Sequence, residues 1–272
     1  MTLPYVVVGV DGSLISVRAL DRAADEAAHR SAALRVLYAV SDRDEAGPVL
    51  ASAASRVRAR HPALPVTTLA VEGGAVRALT HESAGAALTV VGTRGLGGFA
   101  GLVSGAVSVR LAGQTHSPLL VVRGDRPHDD RRDVLLGLER DTDAEAAVHA
   151  FEEAERRGVR LRVLHSWTHR HTAPELPSLI PASSPGQERQ AVYGRSEEAV
   201  PRFTLAAIRE QHPGVAVEAR TVRTAPGHAL VEATREAAVV VVGAHRHGAR
   251  PGPVVHTLLH RSHCPVIVVP IA

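Results

Sequence analysis

Residues 90–108 read VVGTRGLGGFAGLVSGAVS. An apolar strand ends at Gly92, a glycine-rich loop follows, and Gly105 opens a helix. That order predicts an anion site made of backbone. Glycines accept left-handed dihedrals and let a ligand approach the main chain closely. Successive amides form a concavity, and the free N–H groups and dipole of a helix amino end favour phosphate. A shorter variant, VVGAHRHGARPGPV, recurs at residues 241–254.

Reading outward from these two passages gives one order of elements twice. The first copy predicts a strand at Tyr5–Val10, then Asp11-Gly12-Ser13, then a helix with Val17, Leu20, Ala24 and Ala27 on one face. Strands follow at Leu34–Val40, Val66–Val71, Ala87–Gly92 and Leu119–Arg123, separated by helices at Val49–Arg60, Gly74–Ser83 and Gly105–Thr115. The second copy predicts strands at Val134–Leu138, Leu161–Leu164, Val215–Ala219, Val239–Gly243 and Val266–Val269. Its helices carry Ala144, Ala147, Val148, Phe151 and Ala154 at helical spacing, then run to about Gln211, over Gly227–Glu236 and over Pro253–His263. The proline-rich stretch Thr172–Gly186 reads as a long insertion without regular structure. Near-continuous apolar strands suit a sheet covered on both faces, and strand–helix alternation predicts a parallel, doubly wound α/β fold. The boundary falls in the polar stretch Gly124–Asp133, giving expected domains at 1–124 and 133–272.

Composition narrows the function. The chain has 272 residues, 45% of them apolar but only 3% aromatic, so its cores are built from Val, Leu, Ile and Ala. No apolar run approaches the roughly 20 residues that span a bilayer, and the amino end lacks the pattern of a signal peptide; a cytoplasmic protein with no membrane role is expected. A single cysteine, Cys264, excludes an intramolecular disulfide and a cysteine-clustered zinc site. The chain has no Lys, which excludes a Walker A loop and Schiff-base chemistry. The net charge of +3 is small, and acidic residues alternate with the arginines. With no recognisable module, a nucleic-acid partner is not expected.

In an open α/β sheet the ligand sits beyond the carboxyl ends of the strands at the switch point. Asp11 lies past strand 1 and the glycine loop past strand 4, so neighbouring strands would gather both in one crevice. A carboxylate beside a phosphate site makes sense facing a sugar, accepting hydrogen bonds from ribose hydroxyls. At this point both halves resemble the universal stress protein family in its tandem form. The nucleotide-binding branch of that family carries G-x2-G-x9-G followed by Ser or Thr. Gly92, Gly95 and Gly105 fit the spacing, Asp11 matches the strand-1 aspartate, and Val40 matches the residue that meets adenine through its backbone.

The resemblance covers nearly the whole chain. It implies two tandem Rossmann-like domains of the adenine nucleotide alpha hydrolase-like type, each a five-stranded parallel sheet of order 3-2-1-4-5 between helices. It implies pairing of the two halves through their last strands as an intrachain pseudo-dimer, with a further homodimer left open. The ligand implied is ATP with accompanying Mg²⁺, held by Gly9, Val10, Asp11, Val40, Val91, Gly92, Arg94, Gly95, Gly105, Ala106, Val107 and Ser108. One departure stands out: Ala106 replaces the Ser or Thr and removes a hydroxyl donor worth about 1 kcal/mol. Its backbone N–H remains, and Ser108 matches a further phosphate contact, so weakened but retained ATP binding is expected.

The second copy is dismantled. Glu139 replaces the aspartate, eight residues separate Gly243 from Gly252 where twelve separate Gly92 from Gly105, and Arg246 replaces Gly95. Pro253, after the last glycine, has no N–H to give but suits a first helical position. No nucleotide is expected there. No general base or metal carboxylate set is evident, so turnover is not expected. A member acting only through protein contacts is the alternative, kept open by Ala106. An adenylating enzyme is disfavoured, because Gly9-Val10-Asp11-Gly12-Ser13 does not match an SGGxDS-type loop.

Other groups read as ordinary. His256, His260 and His263 have a spacing compatible with a metal but no carboxylate beside them; surface histidines are expected. His245-Arg246-His247 is an alternative anion cluster. His165, His169 and His171 read as solvated loop residues beside the insertion. Ser104, His116 and Asp125 are the residue types of a triad with nothing to place them together. Cys264 reads as a packing residue.

Overall fold

A computed structural model describes residues 3–93, 106–123, 130–139, 143–166, 204–245 and 251–271. The proline-rich insertion at 172–186, His169, His171 and most of the glycine loop lie outside them. The first half contains β1 (Tyr5–Gly9), α1 (Leu14–His29), β2 (Ala33–Val40), α2 (Gly47–Arg60), β3 (Val66–Glu72), α3 (Ala75–Ser83), β4 (Leu88–Gly92), α4 (Ala106–Ala112) and β5 (Leu119–Val122). The second contains β6 (Asp133–Leu138), α5 (Ala144–Arg157), β7 (Leu161–Ser166), a helix α6 over 204–211, β8 (Val217–Val222), α7 (Pro226–Ala233), β9 (Ala237–His245), α8 (Pro253–Arg261) and β10 (Val266–Ile271).

The strands form one ten-stranded sheet in the order β3-β2-β1-β4-β5-β10-β9-β6-β7-β8. Each half thus runs 3-2-1-4-5, all parallel, and the two meet at an antiparallel β5–β10 seam with Val121 opposite Val266 and Leu119 opposite Val268. Alternating strand residues feed two cores. Val6, Val8, Leu120 and Leu136 share one core with α1, α2, α5 and α6, whereas Val7, Val91 and Val121 pack under α3, α4, α7 and α8. Both cores run across the seam, so the halves share their interior.

Two further contacts bind the halves. Arg123, just past β5, donates to Leu259 O at 2.6 Å and His260 O at 2.8 Å, satisfying terminal carbonyls of α8. On the opposite face, Arg30, just past the end of α1, pairs with Glu26 of α1 and with Glu153 of α5 at 2.8 Å. Arg157 of α5 pairs with Glu153 on its own helix and with Glu26 at 2.7 Å. These four side chains close a buried ring of alternating charge.

Element boundaries differ from expectation in instructive places. The apolar Val215 is not a strand start; it packs into the core from the turn after α6, and β8 begins at Val217. Helix α4 stops at Ala112, before Gly113, rather than at Thr115. No helix among the described residues is long and apolar enough to cross a membrane.

Candidate functional site

The sequence Asp11-Gly12-Ser13 turns the chain from β1 into α1. Gly12 takes a φ of +81°, which a side chain would resist. Asp11 Oδ1 accepts from the Ser13 N–H at 3.0 Å and the Ser13 hydroxyl at 2.6 Å. Ser13 Oγ in turn accepts the Ser16 N–H at 3.2 Å and caps the helix. One carboxylate oxygen of Asp11 therefore has a local structural task, and Oδ2 makes no hydrogen bond among the described residues.

Strand β4 lies directly beside β1, with Val8 opposite Val90. The two carboxyl ends consequently place Asp11 and Gly92 at one switch point, as the sequence predicts. At Gly92 a side chain would force α1 to shift: a Cβ would stand 2.5 Å from Ile15 Cγ2 and 3.2 Å from Ile15 O. Gly92 lets the first turn of α1 close onto the end of β4.

The other predicted residues separate into two groups. Val10, Val40 and Val91 are buried; Val10 donates its N–H to Leu37 O, and Val40 O accepts the Gly73 N–H, both at 2.9 Å. Gly9 has a packing reason of its own, since a Cβ there would meet Leu79 at 2.9 Å, and Gly137 meets Leu230 at the same distance in the second half. A feature shared by both halves belongs to the fold. On α4, Val107 is exposed and Ser108 is buried. Arg94, Gly95 and Gly105 lie outside the described residues, as does the side chain of Ala106. A cavity of about 390 Å³ lies elsewhere, between α3 and α4 beside Thr80 and Arg110.

The second half answers the same geometry differently. Glu139 stands past β6, and its N–H donates at 2.7 Å to Oδ2 of Asp143, a buried carboxylate at the start of α5. Asp143 Oδ1 would lie 3.1 Å from a Cβ on Gly243, and His245 Nε2 is 3.9 Å from it. A protein carboxylate thus occupies the switch point beside Gly243. Sequence reading missed Asp143, although an acidic residue at a helix start beside a degenerate glycine loop is a legible signal.

With this geometry in place, similarity to known proteins is decisive. The Universal stress protein family profile matches residues 5–60, 45–123 and 131–270. The chain belongs to the universal stress protein family. A universal stress protein of Mycolicibacterium smegmatis is 32% identical over 292 residues, covering 97% of this chain and 96% of its own. One from Mycobacterium tuberculosis is 32% identical over 206 residues, 73% of this chain and 66% of its own. Among solved structures, a universal stress protein from Archaeoglobus fulgidus superposes with a TM-score of 0.71 over 99% of both chains at 17% identity, a likeness of fold.

In this universal stress protein one of the remaining candidates, His165, moves. His165 is buried on β7, with Nδ1 2.9 Å from Leu138 O; a carbonyl only accepts, so Nδ1 carries the proton. It is a core histidine and not the solvated loop residue its position beside the insertion suggested, because β7 continues to Ser166. His256 and His260 stack at 4.3 Å on the exposed side of α8, and no group of three metal-binding side chains occurs among the described residues. His116 is exposed and donates its backbone N–H to Ser83 Oγ, while Ser104 and Asp125 lie outside the described residues. Burial pushes the Cys264 thiol up to about 12, as suits a packing residue.

Proposed function

We propose that this universal stress protein binds one adenine nucleotide per chain, ATP with accompanying Mg²⁺, in the crevice between β1 and β4, and that it acts as a regulatory binding protein in a stress response rather than as an enzyme. The contrast between the two switch points carries the reading. The first half holds Asp11 beside a bare Gly92. The second places the buried Asp143 carboxylate beside Gly243, where it repels phosphate. The ribose role falls to Asp11 Oδ2, and the phosphate role to the amides of the glycine motif Gly92, Gly95 and Gly105, with Arg94 inside the motif and Ser108 just beyond it. The absence of a hydroxyl at Ala106 favours modest affinity.

Calorimetric titration of the purified chain with ATP and Mg²⁺ tests this. One site per chain is expected, weakened by Asp11→Asn, which keeps a turn acceptor while removing charge. No binding in the millimolar range, or two equivalent sites, would overturn it. A member working through protein contacts alone would release no nucleotide when freshly purified protein is denatured.

A further inference from the structure

The cavity of about 390 Å³ between α3 and α4 has a polar lining of one character. Arg77, Thr80 and His81 come from α3, Arg110 from α4, and Gln114 and His116 from the turn after it. None of the lining residues is acidic. The one acid of these two helices, Glu82, is engaged by Arg35. Among the described residues neither Arg77 nor Arg110 has a carboxylate partner; the Arg77 guanidinium rests over Gly73, with Nη2 3.0 Å from where a Cβ would stand there. Thr80 adds a further donor. A helical threonine commonly turns its hydroxyl back onto a carbonyl of the preceding turn, as Ser83 does onto Thr80 O at 2.7 Å. The Thr80 hydroxyl is shielded from solvent and makes no hydrogen bond among the described residues, an unfavourable state for a buried polar group.

The second half fills the same face differently. Ser83 Oγ accepts the His116 N–H and Thr234 Oγ1 accepts the His263 N–H, both at 3.0 Å, which aligns α3 with α7 and the turn after α4 with the turn after α8. In that alignment Glu232 stands where His81 stands. Its carboxylate pairs with Arg235 at 3.0 Å, and Arg235, His228 and His263 hold it below the usual carboxylate range. His228 and His263 are the equivalents of Arg77 and His116. Thr80 becomes the buried, apolar Val231. Val76 and Arg110 become Gly227 and Thr257, which lie close together: a Cβ on Gly227 would be 3.4 Å from Thr257 Cγ2, and the Thr257 hydroxyl donates to Pro253 O at 2.8 Å. The second half therefore supplies its own anion to this face and leaves no donor over. The first half keeps cations and a donor, with an imidazole in place of the acid.

We infer that the α3–α4 groove of the first half binds a small organic phosphate, with the phosphate group held by Arg77 and Arg110 and the Thr80 hydroxyl as a third donor. Guanidinium forks stay charged and match phosphate geometry, and two of them balance a phosphate monoester dianion. The imidazoles of His81 and His116 add ring N–H donors. The volume falls in the range of small-molecule sites and leaves room beyond the phosphate for an organic body against Val76 and Ala84. The groove is separate from the β1–β4 crevice, and its occupation does not depend on a nucleotide there.

The test titrates the full chain with glycerol 3-phosphate, and separately with inorganic phosphate, while backbone amide shifts are followed by NMR. Saturable shifts are expected at 76–84 and 110–116, with glycerol 3-phosphate at least threefold the tighter. Arg110→Gln, and His81→Glu, which plants the acid of the second half, are both at exposed positions and should each weaken binding at least tenfold. Arg58→Gln, at an exposed position on α2, should leave it unchanged. Absence of saturable shifts, shifts confined to 92 and 106–108, equal affinity for the two anions, or equal losses in all three variants would overturn the inference.

Discussion

Acid should weaken this protein through His149 before it touches the carboxylates around it. The groups facing that imidazole are Glu153, Arg156 and Arg157 from α5 and Arg30 from the end of α1. Burial lowers the imidazole from the ordinary 6.5 to about 4; Glu153 pulls the other way, and the three arginines add to the fall. In the unfolded chain residue 149 takes up its proton near pH 6.5, whereas the native state resists until about pH 4. Between those values the unfolded state holds the extra proton, so stability falls as pH falls and is fully present above the unfolded value. At about 1.4 kcal/mol per unit, the full shift is worth about 3 kcal/mol. Glu153 does not confuse the window. Burial alone would raise it, but Arg157, Arg30 and Arg156 outweigh burial and hold it well below the usual carboxylate range, so its contribution is lost only in stronger acid. Urea unfolding of the wild type and His149→Gln at intervals from pH 7.5 to 4.5 reads the effect. The wild-type curve should be the steeper by most of that amount. Parallel curves would refute the reasoning.

Gly92→Ala should cost about 1–3 kcal/mol through overpacking against Ile15, read as a lower thermal midpoint, and should weaken ATP binding in the same titration. A variant of unchanged stability would mean that α1 yields at its first turn. Arg123→Ala should cost about 1–2 kcal/mol by stripping charged donors from the α8 carbonyls, and amide exchange in residues 256–261 should quicken; unaltered exchange there would show that the cap is idle.

Most of the fold was legible because buried parallel strands leave long apolar runs, and because the duplication offered each element twice. The paired glycine passages located both switch points, and Asp11 with Gly92 could be joined from topology alone. Asp143 was not legible. Its significance depends on standing beside Gly243, which is distant in sequence. The charge ring hid for a related reason: Glu26 and Glu153 sit among alanines on the buried faces of α1 and α5, where a periodicity argument looks for apolar residues and passes over acids. The repeated Glu-x-x-x-Arg spacing was the available signal. His165 was misjudged because a strand's last residues resemble the start of a loop when a polar insertion follows.

The antiparallel seam has a consequence for why the altered second half is kept. Leu119–Val122 and Val266–Ile271 are almost wholly apolar, and each would be a bare sheet edge if its partner left. Such edges template aggregation. The strands that do end the sheet, β3 and β8, expose Thr67, Thr68 and Glu72, and Glu218 and Arg220, which are poor templates. The half that holds Asp143 in its crevice therefore works as a permanent guard for the half that holds Asp11. Because the guard is tethered, its local concentration does not fall when the protein is scarce. Dilution, which separates an ordinary dimer, leaves this edge covered.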